Sequence, residues 1–328
     1  MNRIGKLLRV LLALFVLMAF ALDAVAQTTQ TYPQKNIRIV VPLAPGGSAD
    51  IFSRIIGARL TEAWGQPVVV DNKPGGGGNI GSDFVAKSTP DGYTLLMGYI
   101  GPNAVNPSLF KQMPYDAARD FAPILLVAEA EGLLVVNPSV AVTTVPQLIA
   151  LARANPGKLA YASGGIGTAG HLSGELFKSM AQVDMIHVPY KGNVPAITDL
   201  IGGQIELSFA TMPTVIPHVR AGKLRGVAVI GATRAAAMPG LPTVAETLPG
   251  FAVNNWIGLF APAGTPPEIV NKLNAEVMRI MQTPEAQKRM TNEGARFTKN
   301  TPEEFAQFVR DEAAKWARVL SEAGIKPE

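Results

Sequence analysis

The sequence predicts an α/β protein in two parts, the second inserted into the first, on three observations. Strand-like and helix-like stretches alternate from Pro33 to Leu96, and the alternation starts afresh from Val145 to about Val229. The last section is a β run at Asn255–Pro262 followed by amphipathic helices, too poor in strands to stand alone. Those helices should pack back on the first part, so the chain must cross twice, near Leu133–Asn137 and near Trp256–Ala261.

In order, Ile37–Val41 and Pro67–Val70 are β-rich, Asp50–Trp64 and Gly78–Ser88 read as helices, and Tyr93–Gly98 reads as a buried strand. This part is expected to hold a mostly parallel sheet. Asn103–Phe121 is polar and interrupted by proline, and Pro123–Val136 is further strand material. In the second part Pro146–Ala154 is a helix with proline in its first turn and Asn155-Pro156-Gly157 as its stop. Lys158–Ala162, Met185–Val188, Glu206–Ala210 and Gly226–Ile230 read as strands, and Thr168–Ala181, Asn193–Gly202 and Pro213–Ala221 as helices. The closing helices are Pro267–Met281, Pro284–Glu293 and Pro302–Ala323.

Two stretches share a strand, glycine turn and helix plan. In Leu159–Met180, Tyr161-Ala162-Ser163 ends a β run, Gly164, Gly165, Gly167 and Gly170 free the backbone, and a helix begins near Thr168. Earlier, Ile37–Val41 leads through Pro42–Gly47 to a helix opened by Ser48-Ala49-Asp50. A helix start carries unpaired N–H groups and about half a positive charge, so each turn suits a carboxylate or phosphate, and two facing turns would form a clamp. Neither turn contains lysine or arginine, which leaves backbone N–H groups and the Ser163 and Thr168 hydroxyls to hold an anion. His171 either donates to the ligand or caps locally, and Asp50 either lines the cleft or is a first-turn acid favoured by the helix dipole.

The first 26 residues read as a signal peptide. Arg3, Lys6 and Arg9 form a basic start, Val10–Leu22 is apolar, and Ala24-Val25-Ala26 is a small-x-small cleavage site. The apolar run, roughly 13 residues, falls short of the ~20 a membrane span needs, though a retained anchor is the alternative. With no cysteine in the chain, lipoprotein acylation and a disulfide framework are both excluded. Cleavage removes three positive charges and Asp23, lowering the formal +4 by two. That near-neutral remainder, with scattered cations and 7% aromatics, argues against a nucleic-acid surface or a polybasic membrane patch.

Enzyme and cofactor motifs are sparse. Gly76–Gly81 and Gly165–Gly170 both match the dinucleotide fingerprint, but the strands after them end in Gly98-Tyr99 and Pro189-Tyr190-Lys191, without the acid that holds a ribose. Close backbone packing suits the first run and anion capture the second, so no cofactor is expected. No GK[ST] follows either run, which removes a phosphate loop. His171, His187 and His218 lack metal-ligand spacing, and no G-x-S-x-G elbow exists. An exported hydrolase with an unrecognised site is the alternative to a binding protein.

Several motifs together resemble the Bug/TctC family, the periplasmic solute receptors of tripartite tricarboxylate transporters. They include Tyr32-Pro33, Pro45-Gly46-Gly47-Ser48-Ala49-Asp50, Val70-Asp71-Asn72-Lys73-Pro74-Gly75-Gly76, Asp91-Gly92-Tyr93-Thr94-Leu95 and Val188-Pro189-Tyr190-Lys191-Gly192. Asn106-Pro107-Ser108-Leu109, Asp120-Phe121-Ala122-Pro123, Gly222-Lys223-Leu224-Arg225, Leu241-Pro242-Thr243 and Phe260-Ala261-Pro262 extend the match over nearly all of the chain beyond the signal peptide.

The resemblance implies a type II-like, Venus-flytrap periplasmic-binding-protein fold with two interlobe crossovers, closing on a small carboxylate. The lobes would be residues 27–135 with 257–328, and 136–256. Ligand contacts would fall within Leu43 to Asp50 in the first lobe, on Leu43, Ala44, Gly46, Gly47 and Asp50, and within Ser163 to Thr168 in the second, on Ser163, Gly164, Gly165, Gly167 and Thr168, with His171 added as a candidate by its place in the first turn of the helix. The chain departs from the family pattern at Ala210, where many members carry an acid, and at Asn193, where they carry glycine. Both positions border the implied cleft, so the far end of the ligand does not carry over. A monomer serving membrane transporter subunits is the expected state, with no nucleic acid, metal or catalytic residue.

Overall fold

The computed structural model describes residues 32–292 and 294–322, with 325 and 327. The expected signal peptide lies outside the described residues. From Lys35 onwards the chain forms one compact unit, built on two sheets.

The first sheet has the order β11-β4-β10-β3-β1-β2. Its strands are β1 (Ile37–Val41), β2 (Val68–Asn72), β3 (Thr94–Tyr99), β4 (Phe121–Ala130), β10 (Asn255–Pro262) and β11 (Ala295–Arg296). The second, ordered β7-β6-β8-β5-β9, comprises β5 (Gly132–Val136), β6 (Ala160–Ser163), β7 (Ile186–Pro189), β8 (Leu207–Thr211) and β9 (Arg225–Val229). β1 is parallel to β2 and β3, but β10 runs antiparallel to both β3 and β4. In the second sheet β6 is parallel to β7 and β8, whereas β5 is antiparallel to β8 and β9. The sheets are therefore mixed, which corrects the mostly parallel expectation. β5 and β10 are the strands that follow each passage between sheets, and they enter against the direction of the parallel strands already there.

The first passage is a single residue. β4 ends at Ala130 in one sheet and β5 begins at Gly132 in the other. Between them Glu131 gives its N–H to the Gly294 carbonyl at 2.9 Å and accepts the Met212 N–H at 2.8 Å. The second passage runs from the end of β9 at Val229 to Asn255.

The helices are α1 (Ser48–Trp64), α2 (Asn79–Ala86), α3 (Asn106–Leu109), α4 (Val145–Ala154), α5 (Ala169–Ala181), α6 (Asn193–Ile201), α7 (Met212–Arg220), α8 (Pro267–Met281), α9 (Pro284–Asn292) and α10 (Pro302–Glu322). α10 shows why the tail returns to the first sheet. Phe305, Val309, Glu312, Trp316 and Leu320 are buried at helical spacing, and Phe305 meets Phe260 and Trp256 of β10 with ring centroids 4.9 and 6.0 Å apart. The stretch Asn103–Phe121, read from sequence as polar and interrupted by proline, opens within consecutive π- and α-helical turns over Gly101–Val105 and Asn106–Leu109. Within it Asn106 Nδ2 donates to the Gly77 carbonyl at 3.0 Å and to Asn79 Oδ1 at 2.7 Å.

Candidate functional site

In open α/β sheets, ligands bind beyond the carboxyl ends of the parallel strands, and four strand ends meet here. The turn after β1 leads to α1, the turn after β6 to α5, the turn after β7 to α6, and β8 runs directly into α7. Leu43, Ala44, Gly47, Ser48 and Ala49 from the first sheet's side face Gly164, Thr168, Ala169, Gly170, Asn193 and Thr211 from the second. Tyr99, Asn255 and Ile257 close the remaining wall, around a cavity of about 40 Å³. That is room for roughly one to three water molecules. No charged side chain is among the lining residues.

Ser48 and Ala49 open α1, and Ala169 and Gly170 open α5. At these positions N–H groups have no acceptor within their own helix, so two dipole-positive ends face one space. α6 and α7 contribute side chains. Asn193 Nδ2 donates to Thr211 Oγ1 at 3.0 Å, and Ser48 Oγ donates to the same atom at 3.0 Å from the opposite side. The Ala44 N–H donates to the Lys191 carbonyl at 3.0 Å, a second bond across the cleft.

Behind this lining other residues shape the turns. Asp50 is buried; its carboxylate accepts the Gly46 N–H at 3.0 Å and pairs bidentately with Arg54 at 3.0 and 2.9 Å. Burial alone would raise the Asp50 pKa, but the bonds from Arg54, Gly46 and Asn72 outweigh it and leave it lowered. Asn72 in turn donates to the Leu43 carbonyl at 3.0 Å. Asp50 therefore holds the first turn in shape while both its oxygens are engaged.

The second turn has a similar backing. Ser163 is fully buried, and its Oγ accepts the Gly165 N–H at 3.1 Å and lies 2.7 Å from His187 Nε2. Thr168 caps α5: its hydroxyl donates to the Gly165 carbonyl at 2.7 Å and receives the His171 N–H at 3.5 Å. His171 Nδ1 accepts the Gly167 N–H at 3.2 Å, so the ring is a local cap and that N–H is turned away from the cavity. The rings of His171, His187 and Tyr161 form a pile, with centroids 4.5 and 4.8 Å apart. Burial pushes His171 down to about 4 and His187 down to about 3, so both are neutral bases.

Of the residues predicted from sequence, Leu43, Ala44, Gly47, Gly164, Thr168 and Asn193 meet at the cavity. Gly46, Asp50, Ser163, Gly165, Gly167 and His171 stand behind it or beside it, and Ala210 is buried within β8. Leu43, Gly164 and Gly165 also border an adjoining groove of about 220 Å³ that reaches Gly75–Gly78 and Pro189–Lys191. There Gly77, at φ +61°, approaches so closely that a Cβ would lie 2.6 Å from the Ile166 carbonyl oxygen, which is why the first glycine run serves packing. Ser48 falls within the Leu43–Asp50 turn expected to bind, whereas Thr211, Tyr99, Asn255 and Ile257 were missed. Thr211 caps a helix after a strand, a signal that could have found it; Tyr99, Asn255 and Ile257 arrive only through strand pairing.

A family model described as the tripartite tricarboxylate transporter family receptor matches residues 52–325. The chain belongs to this family. Protein BugT of Bordetella pertussis is 37% identical over 320 residues, covering 97% of this chain and 98% of its own. Among solved structures, R. palustris Rpa4515 with adipate has a TM-score of 0.88 at 39% identity, covering 90% of this chain and 100% of that one. MatC from Rhodopseudomonas palustris with bound malate has a TM-score of 0.85 at 32% identity, covering 88% and 100%. The Bug/TctC receptor thus has the two-lobed fold of periplasmic solute-binding proteins, as the motifs implied, and the receptors of its family work in the periplasm.

Proposed function

We propose that this receptor captures a small carboxylated solute between its lobes and delivers it to the membrane subunits of a tripartite tricarboxylate-type transporter. The observation that carries the reading is the convergence of four helix starts on one cavity whose lining holds no charged side chain. Such a site holds an anion by N–H groups and helix dipoles. Relatives solved with adipate and with malate support the same ligand class.

In this reading Leu43, Ala44, Gly47 and Ser48 contact ligand from the first lobe, and Gly164, Thr168, Asn193 and Thr211 from the second. Gly46, Asp50, Ser163, Gly165, Gly167 and His171 hold the two turns, and Ala210 sets the end of β8. The lobes divide at Glu131 and again between Val229 and Asn255, close to the boundaries expected from sequence. The chain is exported with cleavage near Ala26, acts as a monomer, and returns its ligand chemically unchanged.

A thermal-shift screen of the mature protein, followed by calorimetry, tests the reading. Malate or adipate should raise the melting temperature and bind at one site per chain, while adipamide, the uncharged analogue, should not. Equal binding of adipamide, or turnover of the bound acid seen by NMR, would overturn it.

A further inference from the structure

We propose a second ligand site, in the first lobe and apart from the cleft, that takes an oxygen-substituted aromatic carboxylate. A cavity of about 940 Å³ opens between residues 103–123 and α10, and shares no lining residue with the 40 Å³ cavity between the lobes. Its volume lies in the range of small-molecule sites, roughly 300–1,000 Å³. Part of the wall is apolar and aromatic, formed by Phe110, Met113, Phe121, Phe260 and Val309. Tyr115 meets Phe121 edge-on at 5.5 Å, and Phe121 meets Phe260 at 6.0 Å, the geometry that continues naturally onto a further ring.

The floor supplies a polar group without a partner. Asn103 is 2% exposed and lines the cavity. Its Oδ1 accepts the Tyr99 N–H at 3.2 Å, which fixes the amide orientation, since the flipped form would set donor against donor. Nδ2 is left buried with no acceptor among the described residues. Buried polar groups are nearly always satisfied, so a small shift of Asn103 that opens Nδ2 to the cavity would let a ligand oxygen take this position.

The cavity's charged lining is net positive by one, with Lys111, Arg119 and Arg310 against Asp116 and Asp120. Neither Lys111 nor Arg310 has a carboxylate within ion-pair reach among the described residues; Arg310 bonds only the neutral Gln307 side chain, at 3.2 and 2.6 Å. Arg119 is different, being neutralised by Asp116 at 2.7 Å. An aromatic body between the phenylalanines, an oxygen at Asn103 and a carboxylate at Lys111 and Arg310 satisfy all three features at once.

Calorimetry with 4-hydroxycinnamate, cinnamate and methyl 4-hydroxycinnamate separates these features. The first should bind saturably, one per chain, and excess adipate should not displace it. Cinnamate, lacking the oxygen, and the ester, lacking the charge, should each bind more weakly, cinnamate by about 5-fold or more. Lys111→Ala with Arg310→Ala, both exposed, should weaken 4-hydroxycinnamate by about 2- to 30-fold while leaving the melting temperature near that of the parent. Ala306→Trp on α10 should fill the cavity and abolish binding, with circular dichroism confirming the fold. Absence of saturable binding, equal binding of the three ligands, displacement by adipate, or affinity unchanged in the Lys111/Arg310 double variant would each overturn the proposal.

Discussion

Ser163 and Thr168 stand at the turn that faces the ligand, yet their hydroxyls are spent on the protein: Ser163 on Gly165 and His187, Thr168 on the Gly165 carbonyl and the start of α5. Thr168→Ala should therefore cost stability as well as affinity. Loss of an N-cap is worth about 0.5–2 kcal/mol, readable by urea denaturation, and an affinity loss without any stability change would mean that the hydroxyl serves the ligand alone. Lys191→Ala should do little, because that residue offers its carbonyl to Ala44. The two buried histidines make a separate prediction. Both are held below their ordinary 6.5 by burial, His171 at about 4 and His187 at about 3. Above pH 6.5 folded and unfolded chains are alike in leaving them neutral, and their contribution is fully present. As pH falls below 6.5 the unfolded chain takes up protons that the folded chain refuses, so stability declines until the folded values are reached. The melting temperature should fall between pH 6.5 and 4, and His187→Gln, which keeps a polar atom near Ser163 but cannot titrate, should flatten the decline. An equally steep decline in that variant would remove His187 from the acid response.

At the scale of elements, the site is a set of helix starts, and charge placed there should act on fold and ligand in opposite directions. Asn193→Asp puts a carboxylate at the first position of α6, where the dipole favours it by about 0.3–1 kcal/mol, and beside the cavity where the solute's own carboxylate must sit. Calorimetry should show affinity reduced about 10-fold or more while the melting temperature holds or rises; unchanged affinity would take Asn193 out of the anion's reach. The helix starts at α1 and α5 were legible in the sequence because strand, glycine turn and helix follow one another within a few residues, and local chemistry decides their form. Tyr99 and Asn255 were not, since β3 and β10 lie far apart in sequence and only their antiparallel pairing brings Tyr99 opposite Ile257 at the cavity wall. The opening of the Asn103–Phe121 stretch was misread for a related reason. Asn103, Asn106 and Pro107 have the composition of a loop, and distant partners decide otherwise, Asn106 bonding both Gly77 and Asn79. The mixed sheets escaped prediction because alternation reveals the parallel units but not the direction in which β5 and β10 enter after each passage.

At the scale of the whole molecule, direct hydrogen bonds join the two sides of the cleft. Ala44 and Lys191 join across the cleft, as do Ser48 and Thr211, and the cavity left between them is about 40 Å³. A dicarboxylate does not fit a space that holds roughly one to three waters, so on the reading proposed above the lobes part to admit it, turning at Glu131 on one strand and at 230–254 on the other, and close around it less tightly than here. A ligand then shifts the balance toward closure by its differential affinity for the closed form. The Ser48–Thr211 bond favours closure without ligand, and a hydrogen bond of this kind contributes about 0.5–1.5 kcal/mol. Ser48→Ala should therefore move the ligand-free equilibrium toward the open form by about 2- to 12-fold, seen as a larger radius of gyration in small-angle scattering. Saturating adipate or malate should bring parent and variant to the same smaller radius, because the ligand replaces the lost bond with contacts to both lobes. A radius that does not change on saturation in either protein would show a rigid pocket, and Glu131 would then be a connection and not a hinge.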